Sequence, residues 1–295
     1  MKPAPFEYVR PASVADALEA LAAHPDAKVL AGGQSLVPLL SMRLAAPSVL
    51  VDINGLTELA TVTTTSDGVR VGALARHADV EADTDARRVQ PLLSQALRLV
   101  AHPTIRNRGT TVGSIVHADA AAEMPMVLLL LGGQVTAASV RGRRDIPAAE
   151  LFVGPMESSL GHDELAVEAF FPALAPDTGV AVDEVSRRHG DYALCAVAAQ
   201  VTLADGRPSR VRAGYVSVAE VPTVVDLSEP LTDGLSDAAL ADAADLALTS
   251  LDPAPDVHAT AAYRTQLVRT LTARVVTAAH VDAVRRADAG AREAR

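Results

Sequence analysis

Hydrophobic positions recur with two different periods along this chain, and the changes of period mark its elements. Ser13 opens a stretch in which Val14, Ala17, Leu18 and Leu21 recur at helical spacing, with Asp16 three residues after Ser13 as in a capped first turn. A short apolar run, Lys28 to Ala31, is followed by Gly32-Gly33-Gln34-Ser35, by Leu36, Leu39, Leu40 and Leu44 at helical spacing, and by Val49 to Ile53. That order predicts strand, glycine turn, helix and strand, a small βαβ unit. From Thr61 the period falls to two: Thr61 to Thr65 and Val69 to Ala73 flank the turn Ser66-Asp67-Gly68. Pro91 to Ala101 reads as a helix that stops near His102-Pro103, and the stretch from Ile105 to Ala122 as a long connection of small residues. A second apolar helix, Met124 to Leu131, ends at Gly132-Gly133, and strands follow at Gln134 to Val140 and Leu165 to Phe171.

The segment Pro172 to Gly179 has the most linker-like composition, which predicts a domain boundary there. Beyond it, Tyr192 to Leu203 and Arg210 to Val218 read as strands around Ala204-Asp205-Gly206-Arg207. From Ser236 the pattern is helical. The expected class is α+β, with a first domain over 1–175, itself divided near residue 56 into subdomains 1–56 and 57–175, and a second domain of small antiparallel sheet and helices over 180–290.

Composition narrows the function more than the fold. Of 295 residues, 26 are Lys or Arg and 36 are Asp or Glu, a net charge of −10, so no broad basic face is available for a phosphate backbone or an anionic membrane. The longest apolar stretch, Met126 to Leu131, is far below the roughly 20 residues needed to span a bilayer. With no secretory pattern at the N-terminus, the expectation is a cytoplasmic chain without nucleic-acid or membrane partners. The single cysteine, Cys195, excludes an internal disulfide and any cysteine-held iron–sulfur cluster in this chain alone. Redox chemistry here would need a borrowed cofactor. No histidine pair has metal-ligand spacing; His102 and His117 flank the polar stretch Gly109 to Ser114 and could tune it, though histidines near turns more often serve as hydrogen-bonding caps, and no metal is expected.

Two stretches concentrate polar backbone and hydroxyl groups. Ala31-Gly32-Gly33-Gln34-Ser35-Leu36 joins a strand to a helix, with glycines that permit close approach and helix-start amides that suit a phosphate, yet it lacks the G-x-G-x-x-G dinucleotide pattern; by itself it reads more readily as a tight connection. Gly109-Thr110-Thr111-Val112-Gly113-Ser114 through Asp119 and Glu123 is too small and polar for core and suits a sugar-phosphate, or else is a capped loop serving the next helix.

Taken in order, these segments resemble the flavin-binding medium subunits of the molybdenum hydroxylases, the family of xanthine dehydrogenase and aerobic carbon monoxide dehydrogenase. The resemblance runs from Phe6-Glu7-Tyr8 with Pro11 to Tyr263-Arg264. Ala31 to Leu36 is similar to the family's A-G-G-x-S-L loop, Ile105-Arg106-Asn107 with Gly109-Thr110 to I-R-N-x-G-T, and Arg187 to Ala193 to R-R-x-G-D-Y-A. Two positions depart from the pattern: Val112 replaces the first glycine of T-x-G-G-N/S, and Ala120 replaces a proline after Asp119. A residue with a Cβ at Val112 would be strained if that position required positive φ.

The resemblance implies FAD as cofactor and no catalytic side chain. It implies cofactor contacts at Leu30, Ala31, Gly32, Gly33, Gln34, Ser35 and Leu36 on the first loop, and at Thr110, Thr111, Gly113, Ser114, Asp119 and Glu123 on the second. It further implies a large molybdopterin-binding partner, a small partner with two [2Fe–2S] clusters and an external electron acceptor. The alternative is a free-standing FAD-dependent oxidoreductase with its own small substrate.

Overall fold

A computed structural model describes residues 2–293 as an α+β chain built on three principal sheets. The first is parallel: Val49–Asp52 lies between Glu7–Val9 and Lys28–Leu30, and the helix Leu36–Met42 makes the crossover. The preceding helix, Val14–Ala23, starts where Ser13 accepts from the Asp16 amide and buries Ala17 and Leu21. The edge strand Glu7–Val9 is an addition to the βαβ unit expected from the sequence. Only three residues long, it pairs with a strand some 40 positions away, so no local pattern announces it.

The second sheet is antiparallel and five-stranded, in the order Val62–Thr64, Gly68–Gly72, Leu165–Pro172, Gln134–Ser139, Gly142–Pro147. Helices lie between its strands in sequence. The expected Pro91 helix ends at Leu97, and His77–Ala82 and Thr84–Val89 precede it. The expected connection from Ile105 to Ala122 is instead partly helical, with Pro103–Arg106 and Thr111–His117. Val112, Gly113 and Ser114 are weak helix formers, so propensity alone misses the second; burial of Val112 and Ile115 and the Thr110 cap hold it. The helix Glu123–Leu131 is apolar all round and ends at Gly132, whose φ of 67° terminates it in the left-handed region.

The third sheet, Thr178–Ser186, Ala193–Ala204, Arg207–Val216 and Thr223–Asp226, is antiparallel throughout. Its second strand is apolar on both faces. Ala196 and Ala198 join the core of the preceding part of the chain, whereas Cys195, Val197, Ala199 and Val201 face the helices Asp237–Leu248 and Ala261–Glu293. Small side chains allow these layers to approach closely. A Cβ on Gly179 would sit 2.1 Å from the Ala283 nitrogen, and one on Gly214 2.9 Å from Met126 Cγ. The Cys195 thiol is buried, which pushes its pKa up to about 12. Among the described residues no helix is long and apolar enough to cross a membrane, and no cluster of three or more His, Cys, Asp or Glu could hold a metal.

Candidate functional site

The turn after Lys28–Leu30 brings the chain round in two glycines. Gly33 has φ +72°, a conformation that disfavours any side chain, and Gly32 packs against the second loop so tightly that a Cβ would lie 2.4 Å from the Arg108 carbonyl oxygen and 2.7 Å from Gly109 Cα. The helix Leu36–Met42 then starts at Ser35, whose hydroxyl makes no capping bond. The backbone amides of Gly33, Gln34 and Ser35 have no acceptor among the described residues, and the Gln34 side chain folds back to the Gly32 carbonyl at 3.2 Å. Three amides and a hydroxyl are left without a partner, a donor set that suits an anionic oxygen.

The second loop is strapped to the end of Gly68–Gly72. His77 donates its amide to the Gly109 carbonyl at 3.0 Å, and Thr111 its amide to the Ala75 carbonyl at 3.3 Å. Thr110 caps the helix Thr111–His117 by accepting from the Gly113 amide at 3.2 Å; a Cβ on Gly113 would lie 2.5 Å from that hydroxyl, so glycine and cap go together. Val112 has no positive φ. Its replacement of the family's glycine therefore brings no left-handed strain; the side chain is buried in the core at the floor of the cleft. Ala120, the second departure, accepts through its carbonyl from the Ser217 amide at 2.8 Å and so ties this loop to the third sheet.

The two loops form the walls of one cleft of about 760 Å³, within the range of roughly 300–1,000 Å³ usual for small-molecule sites. Ala31, Gly32, Gly33, Gln34, Ser35 and Leu36 line it from the first loop, and Thr110, Gly113, Ser114, Asp119 and Glu123 from the second. Leu30 and Thr111 do not line it. Leu30 belongs to the strand, with its side chain beneath Gly33, and Thr111 is fully buried with its hydroxyl 3.2 Å from His77 Nδ1. The sequence reading also left out residues that do line the cleft, among them Ile53, His77, Val112 and Tyr192. Tyr192 lies within the Arg187 to Ala193 segment and is 66% exposed at the cleft's edge, so its motif was the available signal.

Ionisation is shifted on both sides of the cleft. Burial pulls the His77 imidazole down to about 4, with Arg106 adding to the effect, so it is neutral at pH 7. Glu123 begins its helix only 7% exposed. Burial pushes its carboxyl up to about 7, and neighbouring Asp119 acts in the same direction. Behind it, on Thr178–Ser186, burial raises Glu184 to about 8, with Glu123 and Asp183 contributing, and Glu184 Oε2 has no partner.

The comparisons with known proteins agree along nearly the whole chain. Residues 4–174 match the family described as FAD binding domain in molybdopterin dehydrogenase, and residues 180–279 the CO dehydrogenase flavoprotein C-terminal domain. The 6-hydroxypseudooxynicotine dehydrogenase complex subunit alpha of Paenarthrobacter nicotinovorans is 45% identical over 280 residues, covering 94% of this chain and 95% of that one. The carbon monoxide dehydrogenase medium chain of Hydrogenophaga pseudoflava is 33% identical, covering 95% and 98%. The structure of quinoline 2-oxidoreductase from Pseudomonas putida 86 superposes with a TM-score of 0.90 at 35% identity, covering 96% of this chain and 100% of that one. The glycine turn, the capped second loop and the cleft between them thus sit in a chain that belongs to the FAD-binding medium subunits of the molybdenum hydroxylases, FAD-dependent oxidoreductase subunits of the xanthine and carbon monoxide dehydrogenase family.

Proposed function

We propose that this chain is the electron-transfer subunit of a three-component molybdenum hydroxylase. Electrons released from substrate at a molybdenum cofactor on a large partner would pass through [2Fe–2S] clusters on a small partner, then through FAD on this chain to an external acceptor. The observation that carries this reading is the two-loop cleft, whose donor set suits a diphosphate, in a chain whose only cysteine is buried. When bound, FAD supplies the exchange of electrons between donor and acceptor.

The chain's own groups then have binding and orienting roles. The amides of Gly33, Gln34 and Ser35 with the Ser35 hydroxyl would hold one face of the diphosphate, and Thr110, Gly113 and Ser114 the other. Leu36 and Ala31 supply the apolar rim, and Leu30 and Thr111 support the loops from behind. Asp119 and Glu123 face the same cleft and can accept from sugar or ribityl hydroxyls. A Glu123 carboxyl poised near 7 can also donate. No side chain is assigned as nucleophile or general acid. We divide the chain into a cofactor-binding part over 1–175 and a C-terminal part over 180–290, and place its work in the cytoplasm.

The test has two arms. Gly33→Asp adds negative charge and bulk at a positive-φ position of the turn whose amides are assigned to the diphosphate and should abolish FAD binding; unchanged flavin occupancy would sink the site. Co-expression with candidate large and small subunits should give a complex whose flavin is bleached by the hydroxylase substrate only when all three are present. Bleaching of the isolated chain by a small molecule would instead favour a free-standing flavoenzyme.

A further inference from the structure

Behind the cleft, the two loops are joined by a chain of side-chain hydrogen bonds that no ligand contact explains. Asn54 sits in the short turn Ile53–Gly55 that follows the central parallel strand. Its amide nitrogen donates to the Ala31 carbonyl at 2.8 Å and to Asp52 Oδ1 at 2.6 Å, with the Leu30 carbonyl farther off at 3.4 Å. Its amide oxygen accepts from Arg76 Nη2 at 2.8 Å, and Arg76 Nη1 donates to the Arg108 carbonyl at 2.7 Å. The orientation of the Asn54 amide is forced. Carbonyls and a carboxylate can only accept, and a guanidinium can only donate, so each end of the amide has one possible side. Asp52 is itself held by the Tyr8 hydroxyl and the Asn54 backbone N–H.

We propose that Asn54 and Arg76 are positioning residues for FAD, forming a bracket that sets the separation of the two cofactor loops. The proposal rests on assigning those loops to the diphosphate. Arg108, whose carbonyl Arg76 grips, supplies the same oxygen that lies against Gly32. Backbone contact at Gly32 stops the loops from coming closer, and the bracket stops them from drifting apart. A diphosphate held from both sides needs both limits, because amide donors lose strength steeply once a bond lengthens or bends. Neither Asn54 nor Arg76 lines the cleft, so both act through the loops and not on the ligand. The bracket also ties the turn after the parallel sheet to Arg76, which begins the helix His77–Ala82.

The experiment measures FAD affinity of the flavin-stripped full chain by fluorescence quenching, and FAD release from the loaded chain on dilution, for Arg76→Ala, Asn54→Ala, Asn54→Asp and Arg76→Lys. Thermal midpoints of the flavin-free forms are recorded alongside. Breaking a charge-assisted bond of this kind should weaken FAD binding about tenfold to a hundredfold. The double alanine variant should be little worse than the poorer single one, because both cut the same chain. Asn54→Asp should fail like Asn54→Ala, since it cannot donate to Ala31, and Arg76→Lys should restore part of the affinity. Flavin-free midpoints should stay within a few degrees of the parent. Affinities within twofold of the parent, while Gly33→Asp abolishes binding, would overturn the bracket and leave the loop assignment standing. Tight binding by Gly33→Asp would overturn the assignment beneath it. Affinity losses that merely follow a fall in the flavin-free midpoint would make the bracket a general brace of the fold and overturn its positioning role.

Discussion

Replacing Gly32 by alanine adds one carbon where the structure has no room for it. The new Cβ would meet three backbone atoms: the Arg108 oxygen at 2.4 Å, Gly109 Cα at 2.7 Å and the Thr110 nitrogen at 3.0 Å. Backbone cannot swing aside as a side-chain tip can. To reach the 3.4 Å at which ordinary contact begins, the second loop must retreat by about 1 Å. Overpacking of this kind costs about 1–3 kcal/mol of stability. For the cofactor it is worse, because donors on one wall can no longer reach a diphosphate held on the other. Gly33→Ala is the control: its nearest neighbours are the flexible ends of Val37 and Leu30, at 3.2 and 3.3 Å, and its burden is the positive φ of 72°, about 1–2 kcal/mol. Gly32→Ala should therefore weaken FAD binding by more than a hundredfold, and Gly33→Ala by only a few fold. Fluorescence titration with FAD, with urea unfolding in parallel, measures both. If the two variants bind FAD equally well, the loops do not clamp the cofactor as argued.

Further predictions concern the surroundings of the cleft. The folded chain keeps a proton on Glu184 up to about pH 8, whereas the unfolded chain releases it near 4.5, so this group lowers stability progressively as pH rises through that window. Glu184→Gln should flatten the fall, raising the thermal midpoint at pH 8 relative to the parent but not at pH 5; parallel profiles would refute it. Thr111→Val leaves the buried His77 nitrogen unpaired and should cost about 1–3 kcal/mol in urea unfolding, with a smaller effect on FAD affinity, whereas Ser114→Ala should lower FAD affinity more than stability. Gly179→Ala drives a methyl into the backbone of Ala261–Glu293 and should lower stability by more than about 2 kcal/mol, read from the urea midpoint.

What could be read from the sequence follows the reach of each interaction. The turn Ala31 to Leu36 was legible because strand period, paired glycines and helix period follow one another within twenty residues. The Gly132 terminus of the apolar helix was legible for the same reason. The helix Thr111–His117 was not, because Val112-Gly113-Ser114 favours it only once Val112 and Ile115 have a core to enter. Asn54 and Arg76 gave no signal at all, being an ordinary turn residue and an ordinary arginine until folding brings 22 positions of separation down to 2.8 Å. Glu184 was equally silent: in a strand it resembles any solvent-facing acid, and only the approach of Glu123 from another element reveals the crowding. Motifs made of contiguous residues came through, and relationships between distant ones did not.

The two-faced third sheet has a consequence for how the cofactor is held. Ala196 and Ala198 are rooted in the first core while their alternating neighbours are rooted in the second, and Met126 presses on the sheet where Gly214 leaves space. Prising the C-terminal part away would wet an apolar interior, a penalty on the scale of unfolding, unlike the separation of a lightly docked lid. Tyr192, immediately before the second strand of this sheet, thus borders the cleft as a fixture of the folded molecule. Exchange of flavin should then depend on breathing of the two loops, with opening between the halves of the chain too rare to provide a route.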